Sequence, residues 1–228
     1  MIHALEISPD GRYVATAGDD GTAQIWDVQD NTEFGRIRHE GTVRRVNFSP
    51  DGRYLATASD DGIAQIWEVA SNTNLVRIAH EGPVWDVQFS PDGRYVATAG
   101  DDGMAQIWDL ANNLGLDVIL HDGAIRRIHF SPDGQYVGTA SDDKTAQFWS
   151  FEAAAVTTRI THMGTIRNLQ FSPDSRYVAT ASYDASAFVW DLRGNEQVAH
   201  ILHFGTVRDV SFSPNSRYIV TGSTDRTG

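Results

Sequence analysis

The pair Ser-Pro recurs at residues 8, 49, 90, 131, 172 and 213, so one 41-residue unit fills the chain with no insertion or deletion between copies. A repeat of this length, with turn residues at fixed offsets, cannot bury its own apolar face, and its core has to form between neighbouring copies. Function is then expected on the surface of an array. At 228 residues, 41% apolar and 21% charged, the chain has the composition of an ordinary globular protein. No stretch approaches the roughly 18 consecutive apolar residues of a membrane span, and Met1-Ile2-His3 lacks the basic and apolar regions of a signal peptide. No membrane partner is expected, and the cytoplasm is the default setting. The absence of cysteine removes disulfides, thiolate chemistry and cysteine-ligated zinc. A formal net charge of -12 repels phosphate backbones, so no nucleic-acid partner is expected.

One copy is enough to read the unit. Val43, Val46 and Phe48 begin a short β-rich run that stops at Ser49-Pro50-Asp51-Gly52, where Pro fixes φ and Gly accepts positive φ. Residues 54–59 resume the extended pattern up to Asp60-Asp61-Gly62, a hairpin signal, and 64–69 follow as a third strand. A fourth strand, 74–79, comes after a polar loop. No segment shows a sustained 3.6-residue apolar period with helix caps, which excludes helical repeats of similar length. Each unit therefore reads as a four-stranded antiparallel meander, the arrangement of a β-propeller blade buried on both faces, and the chain as all-β.

The third strands end in Trp26-Asp27, Trp67-Glu68, Trp108-Asp109, Trp149-Ser150 and Trp190-Asp191, and in these pairs the chain resembles the WD-repeat family over essentially its whole length. The resemblance implies a hydrogen-bonded structural tetrad of loop His, strand Thr, turn Asp and Trp indole in each blade. The matching sets are His39, Thr57, Asp61 and Trp67; His80, Thr98, Asp102 and Trp108; His121, Thr139, Asp143 and Trp149; and His162, Thr180, Asp184 and Trp190. The usual Gly-His dipeptide departs here to Arg38-His39, Ala79-His80, Leu120-His121, Thr161-His162 and Leu202-His203. Donor and acceptor capacities of the four groups let them satisfy one another in series when buried. One His per blade is a structural pattern, whereas a metal site needs three or four ligands converging on one ion. No metal and no cofactor is expected. Catalysis is not expected either, since no nucleophile elbow or phosphate-cradling glycine loop is present.

In this register the blades run 2–38, 43–79, 84–120, 125–161 and 166–202, with a half blade at 207–223. The expected architecture is five full blades plus a two-stranded half, an unclosed part of a ring of six, seven or more. Two readings follow: a fragment of a longer WD-repeat protein, or a ring completed by a second copy through its unpaired blade edges.

Positions that vary between copies while their neighbours stay fixed are the candidates for recognition. The WD-repeat resemblance implies partner binding on the face carrying the loops between fourth and first strands and between second and third. There the first strand presents His3, Arg44, Trp85, Arg126, Arg167 and Arg208, and the hairpin presents Asp19, Asp60, Asp101, Asp142, Tyr183 and Thr224. One reading pairs Arg with Asp as partly exposed ion pairs. The other makes Arg44, Trp85, Arg126, Arg167 and Arg208, with Tyr183, a surface for a protein or peptide partner, acidic or phosphorylated, because Trp, Tyr and Arg dominate binding hot spots. The expected function is a non-enzymatic interaction scaffold or adaptor, or a sensing module of a larger protein with a separate effector domain.

Overall fold

The computed structural model describes residues 1–227. Its strands fall into five four-stranded sheets and one two-stranded sheet, every neighbour antiparallel where the register is resolved. The first sheet holds β1 (Ile2–Ile7), β2 (Tyr13–Gly18), β3 (Thr22–Asp27) and β4 (Thr32–Arg38). The second holds β5 (Val43–Phe48), β6 (Tyr54–Ser59), β7 (Ile63–Glu68) and β8 (Thr73–Ala79). The third holds β9 (Val84–Phe89), β10 (Tyr95–Gly100), β11 (Met104–Asp109) and β12 (Leu114–Leu120). The fourth holds β13 (Ile125–Phe130), β14 (Tyr136–Ser141), β15 (Thr145–Ser150) and β16 (Ala155–Thr161). The fifth holds β17 (Ile166–Phe171), β18 (Tyr177–Ser182), β19 (Ser186–Asp191) and β20 (Glu196–Leu202), and the last β21 (Val207–Phe212) and β22 (Ile219–Ser223). The third strand of the second copy is shifted one residue from the expected 64–69: Ile63 joins the ladder opposite Ala79, and Val69 leaves it to bury its side chain while its amide donates to Arg53 O. Among the described residues no helix is long and apolar enough to cross a membrane.

The chain forms two compact units, Met1–Val118 and a second beginning at Ile119, the boundary falling inside β12. In the first unit Ala15, Ala17, Ala23 and Ile25 of one sheet pack with Val43, Val46 and Phe48 of the next. Ala56, Ala58 and Ile66 do the same with Val84, Val87 and Phe89. In the second unit Ala140, Ala146 and Phe148 meet Ile166, Leu169 and Phe171, and Ala179 and Ala181 meet Val207 and Val210. Small residues on the second strand let the next sheet's first strand approach closely, which is why each copy needs a neighbour.

The Ser-Pro-Asp-Gly turn is held by its own side chains. Ser8 Oγ donates to Asp10 Oδ1 at 2.6 Å and accepts the Tyr13 amide at 2.8 Å, while Gly11 sits at φ 71°. Ser175 and Ser216 stand in the same left-handed position at φ 58°. Each offsets that strain with a hydroxyl that accepts an amide from the preceding copy's turn, Asp133 N at 3.0 Å and Asp174 N at 3.1 Å. The acid of each Trp-Asp pair is held by the arginine that follows the turn: Arg12 to Asp27 at 2.9 Å, Arg94 to Asp109 at 2.9 Å and Arg176 to Asp191 at 2.8 Å. The same guanidiniums lie over Tyr13, Tyr95 and Tyr177. In the fourth copy Gln135 and Ser150 replace both partners together.

Polar first-strand side chains clasp consecutive copies. Asn47 Oδ1 accepts Phe89 N at 2.8 Å, Gln170 Oε1 accepts Phe212 N at 2.8 Å, and Glu6 takes Asn47 Nδ2 at 3.0 Å and Phe48 N at 3.2 Å. Burial pushes the Glu6 carboxyl up to about 7, against those two donors and the Arg45 charge. Folded chain thus keeps a proton that the unfolded chain sheds above its ordinary value near 4.5, so this position favours folding most at low pH and loses stability as pH rises through about 7. Glu6→Gln, the amide that Gln170 already uses, is expected to match wild type near pH 4.5 and to exceed it above pH 7 by about 1 kcal/mol, after allowance for partial exposure. Thermal melts of both proteins across that range check it, and a constant difference would remove Glu6 as the titrating group.

Candidate functional site

At the loop-bearing end of each sheet, the His before the first strand lies under the second-to-third-strand hairpin. His39 Nε2 meets Thr57 Oγ1 at 2.8 Å and its Nδ1 meets Asp61 Oδ2 at 2.9 Å. The same contacts join His80 to Thr98 (2.8 Å) and Asp102 (3.0 Å), His121 to Thr139 (2.8 Å) and Asp143 (2.9 Å), and His162 to Thr180 (2.8 Å) and Asp184 (3.1 Å). A carboxylate only accepts, so it fixes the imidazole proton on Nδ1 and leaves Nε2 to accept from the Thr hydroxyl. Burial holds His39, His121 and His162 below the ordinary imidazole value, which keeps them neutral. Burial also opposes ionisation of Asp184, but the Ser186 hydroxyl, the Met163 and Ser186 amides and His162 prevail and lower it to about 2.

In the second, third and fifth sheets the indole donates to a side chain other than the His, Thr or Asp of the expected tetrad. Trp67 Nε1 donates to Gln65 Oε1 at 2.9 Å and Trp108 Nε1 to Gln106 Oε1 at 3.4 Å. The register explains it: Thr57 lies opposite Gln65, and Trp67 stands two residues further on the same face, so the amide comes between hydroxyl and indole. Gln65 Nε2 also donates to Arg38 O at 3.1 Å, tying down the loop before His39. Where Phe188 replaces Gln, its ring stacks on His162 with centroids 3.9 Å apart, and Trp190 turns to Asn195 Oδ1 at 3.3 Å. The sequence held the signal, Gln at 24, 65, 106 and 147 in one register, but without a contact to read it from.

The variable first-strand position is the bulged residue of each first strand. The ladder of β5 on β6 skips from Val43 to Arg45, that of β9 on β10 skips Trp85, and the same break falls at His3, Arg126, Arg167 and Arg208. A bulge re-aims its side chain out of the pleat, here toward the adjoining hairpin. In the first unit His3 and the Met1 amine engage Asp19, Arg44 engages Asp60 through both nitrogens at 2.8 and 2.6 Å, and Trp85 Nε1 donates to Asp101 at 2.9 Å. Arg44 also lies over the Trp85 ring, 5.2 Å from its centroid.

In the second unit Arg126 engages Asp142 at 2.8 and 2.5 Å. The next two copies carry Tyr183 and Thr224 at the hairpin position, and neither Arg167 nor Arg208 has a hydrogen-bond or ion-pair partner among the described residues. Arg127, Arg167, Arg208, Tyr183, Asn168 and Asp209 line one cavity of about 530 Å³. Asn168 Nδ2 donates to Asp209 Oδ1 at 2.5 Å, which engages the acid. The structure thus separates the six candidates: Arg44, Trp85 and Arg126 are committed to aspartates, while Arg167, Arg208 and Tyr183 share a cavity, joined by Arg127, which the sequence did not single out. Among the described residues no group of three or more His, Asp or Glu is placed to hold a metal ion.

Residues 1–228 match the family model described as the IFT122 first β-propeller. No curated protein matches the chain.

Proposed function

This chain belongs to the IFT122 first β-propeller family, and from that membership we propose that it is a non-enzymatic interaction scaffold whose partner docks on the second unit's loop-bearing end. IFT122 itself is a non-enzymatic subunit of an intraflagellar transport complex. The single observation that carries the reading is the pair of unengaged guanidiniums, Arg167 and Arg208, beside Tyr183 in one cavity. Guanidinium forks take carboxylate or phosphate oxygens in pairs, so the favoured partner is a peptide with an acidic or phosphorylated residue. Desolvating a free guanidinium against such a group brings affinity, whereas Arg44 and Arg126 would first have to release an aspartate. The word "first" in the family's description supports a second reading, in which the propeller is the sensing module of a longer protein. Its proposed setting is the cytoplasm.

Arrays of peptides centred on glutamate, phosphoserine or alanine test the reading. Arg167→Glu with Arg208→Glu is expected to weaken binding of anionic peptides at least tenfold, about 1.4 kcal/mol, while Arg44→Ala and Arg126→Ala change it little. Equal losses from both pairs, or none from the first, would overturn the assignment.

A further inference from the structure

A second position changes in the same copies that leave Arg167 and Arg208 without aspartates. The residue after each loop His is Glu40, Glu81 and Asp122 in the earlier copies, then Met163 and Phe204. Met163 is 85% exposed and Phe204 fully exposed. Their backbones are nonetheless fixed, since the Met163 amide donates to Asp184 at 2.7 Å and the Phe204 amide to Asp225 at 2.8 Å. A large apolar side chain held in water on a rigid loop makes no contribution to this fold, and it is the kind of anchor that interfaces bury. Exchange of an acid for an apolar group also removes the charge that would repel an anionic segment from the neighbouring arginine. Each of the two stands four residues before the arginine of its own copy, so their Cα atoms lie within roughly 14 Å, a span that about four residues of extended peptide cover.

We propose that Met163 and Phe204 form the apolar half of a bipartite site. This rests on the arginine-cavity reading and deepens it. The occupant is an extended acidic peptide with its anionic side chain on Arg167 and Arg208. A Leu, Met or aromatic side chain within about four residues of that anion packs on Phe204 or Met163. Charge complementarity selects this occupant: the two positions lose their carboxylates where the two guanidiniums are unengaged.

The test uses the full chain and nine-residue peptides with randomised flanks around a central phosphoserine, glutamate or alanine. Wild type is expected to select an anion at the centre and a large apolar residue within about four positions of it. The variant Met163→Ser with Phe204→Ser, both at exposed loop tips, is expected to keep the anion selection, lose the apolar selection and bind about tenfold more weakly. Anion selection without apolar selection in wild type overturns the inference and leaves the arginine cavity standing. No anion selection at all overturns both. A wild-type dimer that the Ser variant converts to monomer assigns the two side chains to self-association and overturns the inference as well.

Discussion

Asp143→Ala is expected to lower stability by about 2–4 kcal/mol, while Asp142→Ala, one residue earlier in the same hairpin, costs less than about 1 kcal/mol. Asp143 accepts from His121 Nδ1 at 2.9 Å, the Asp122 amide at 3.1 Å, the Thr145 amide at 2.8 Å and the Thr145 hydroxyl at 2.7 Å. The His121 side chain is fully buried, so removal of the carboxylate leaves its ring N–H with the Thr145 hydroxyl alone, at 3.1 Å, and two amides without their acceptor. Asp142 instead meets Arg126 where both side chains are partly in water, and solvent replaces what the substitution removes. Urea midpoints for the two variants decide the matter. Equal losses would mean that the buried His–Asp contact does not hold the loop.

The second large effect concerns a pair that the repeat itself has exchanged. Copies one to three and copy five carry Ala15, Ala56, Ala97 and Ala179 opposite Ile25, Ile66, Ile107 and Val189. The fourth carries Gly138 opposite Phe148, the bulkiest fully buried side chain, set edge-on to Phe171 with centroids 5.8 Å apart. A Cβ on Gly138 would stand 2.8 Å from Phe148 Cε1 and 3.1 Å from Leu169 Cδ1. Gly138→Ala alone is therefore expected to cost about 1–3 kcal/mol through overpacking, and Phe148→Ile alone about 1–2 kcal/mol through the space it leaves. Together they restore the arrangement of the other copies, and the double variant is expected within about 1 kcal/mol of wild type. Denaturant titration of the four proteins measures the coupling. Additive losses would show that the glycine has no steric relation to the ring.

Much of the scaffold was legible because its causes are local and repeated six times. Ser-Pro-Asp-Gly specifies a turn through its own side chains, and strand alternation needs only the neighbouring residues. The tetrad was less legible. Its His, Thr and Asp meet where the loop before the first strand crosses the hairpin, but the indole's acceptor depends on which residue the ladder places between Thr57 and Trp67, and that register is a property of paired strands. The bulge was not legible at all. It inserts the variable residue without changing the 41-residue spacing, so nothing in the period marks that Arg44 leaves the pleat.

The sequence by itself determined the unit, its strands, its turns and the two positions that vary beside the loops. It also showed Asp giving way to Tyr183 and Thr224, which made Arg167 and Arg208 candidates for release. Only the tertiary structure decided that Arg44, Trp85 and Arg126 are engaged, and that Arg167, Arg208, Tyr183 and Arg127 line one cavity. The reason is physical. A charge's availability depends on the distance to its nearest opposite, which bulges and hairpins set in space across residues about sixteen apart in the chain, as for Arg44 and Asp60.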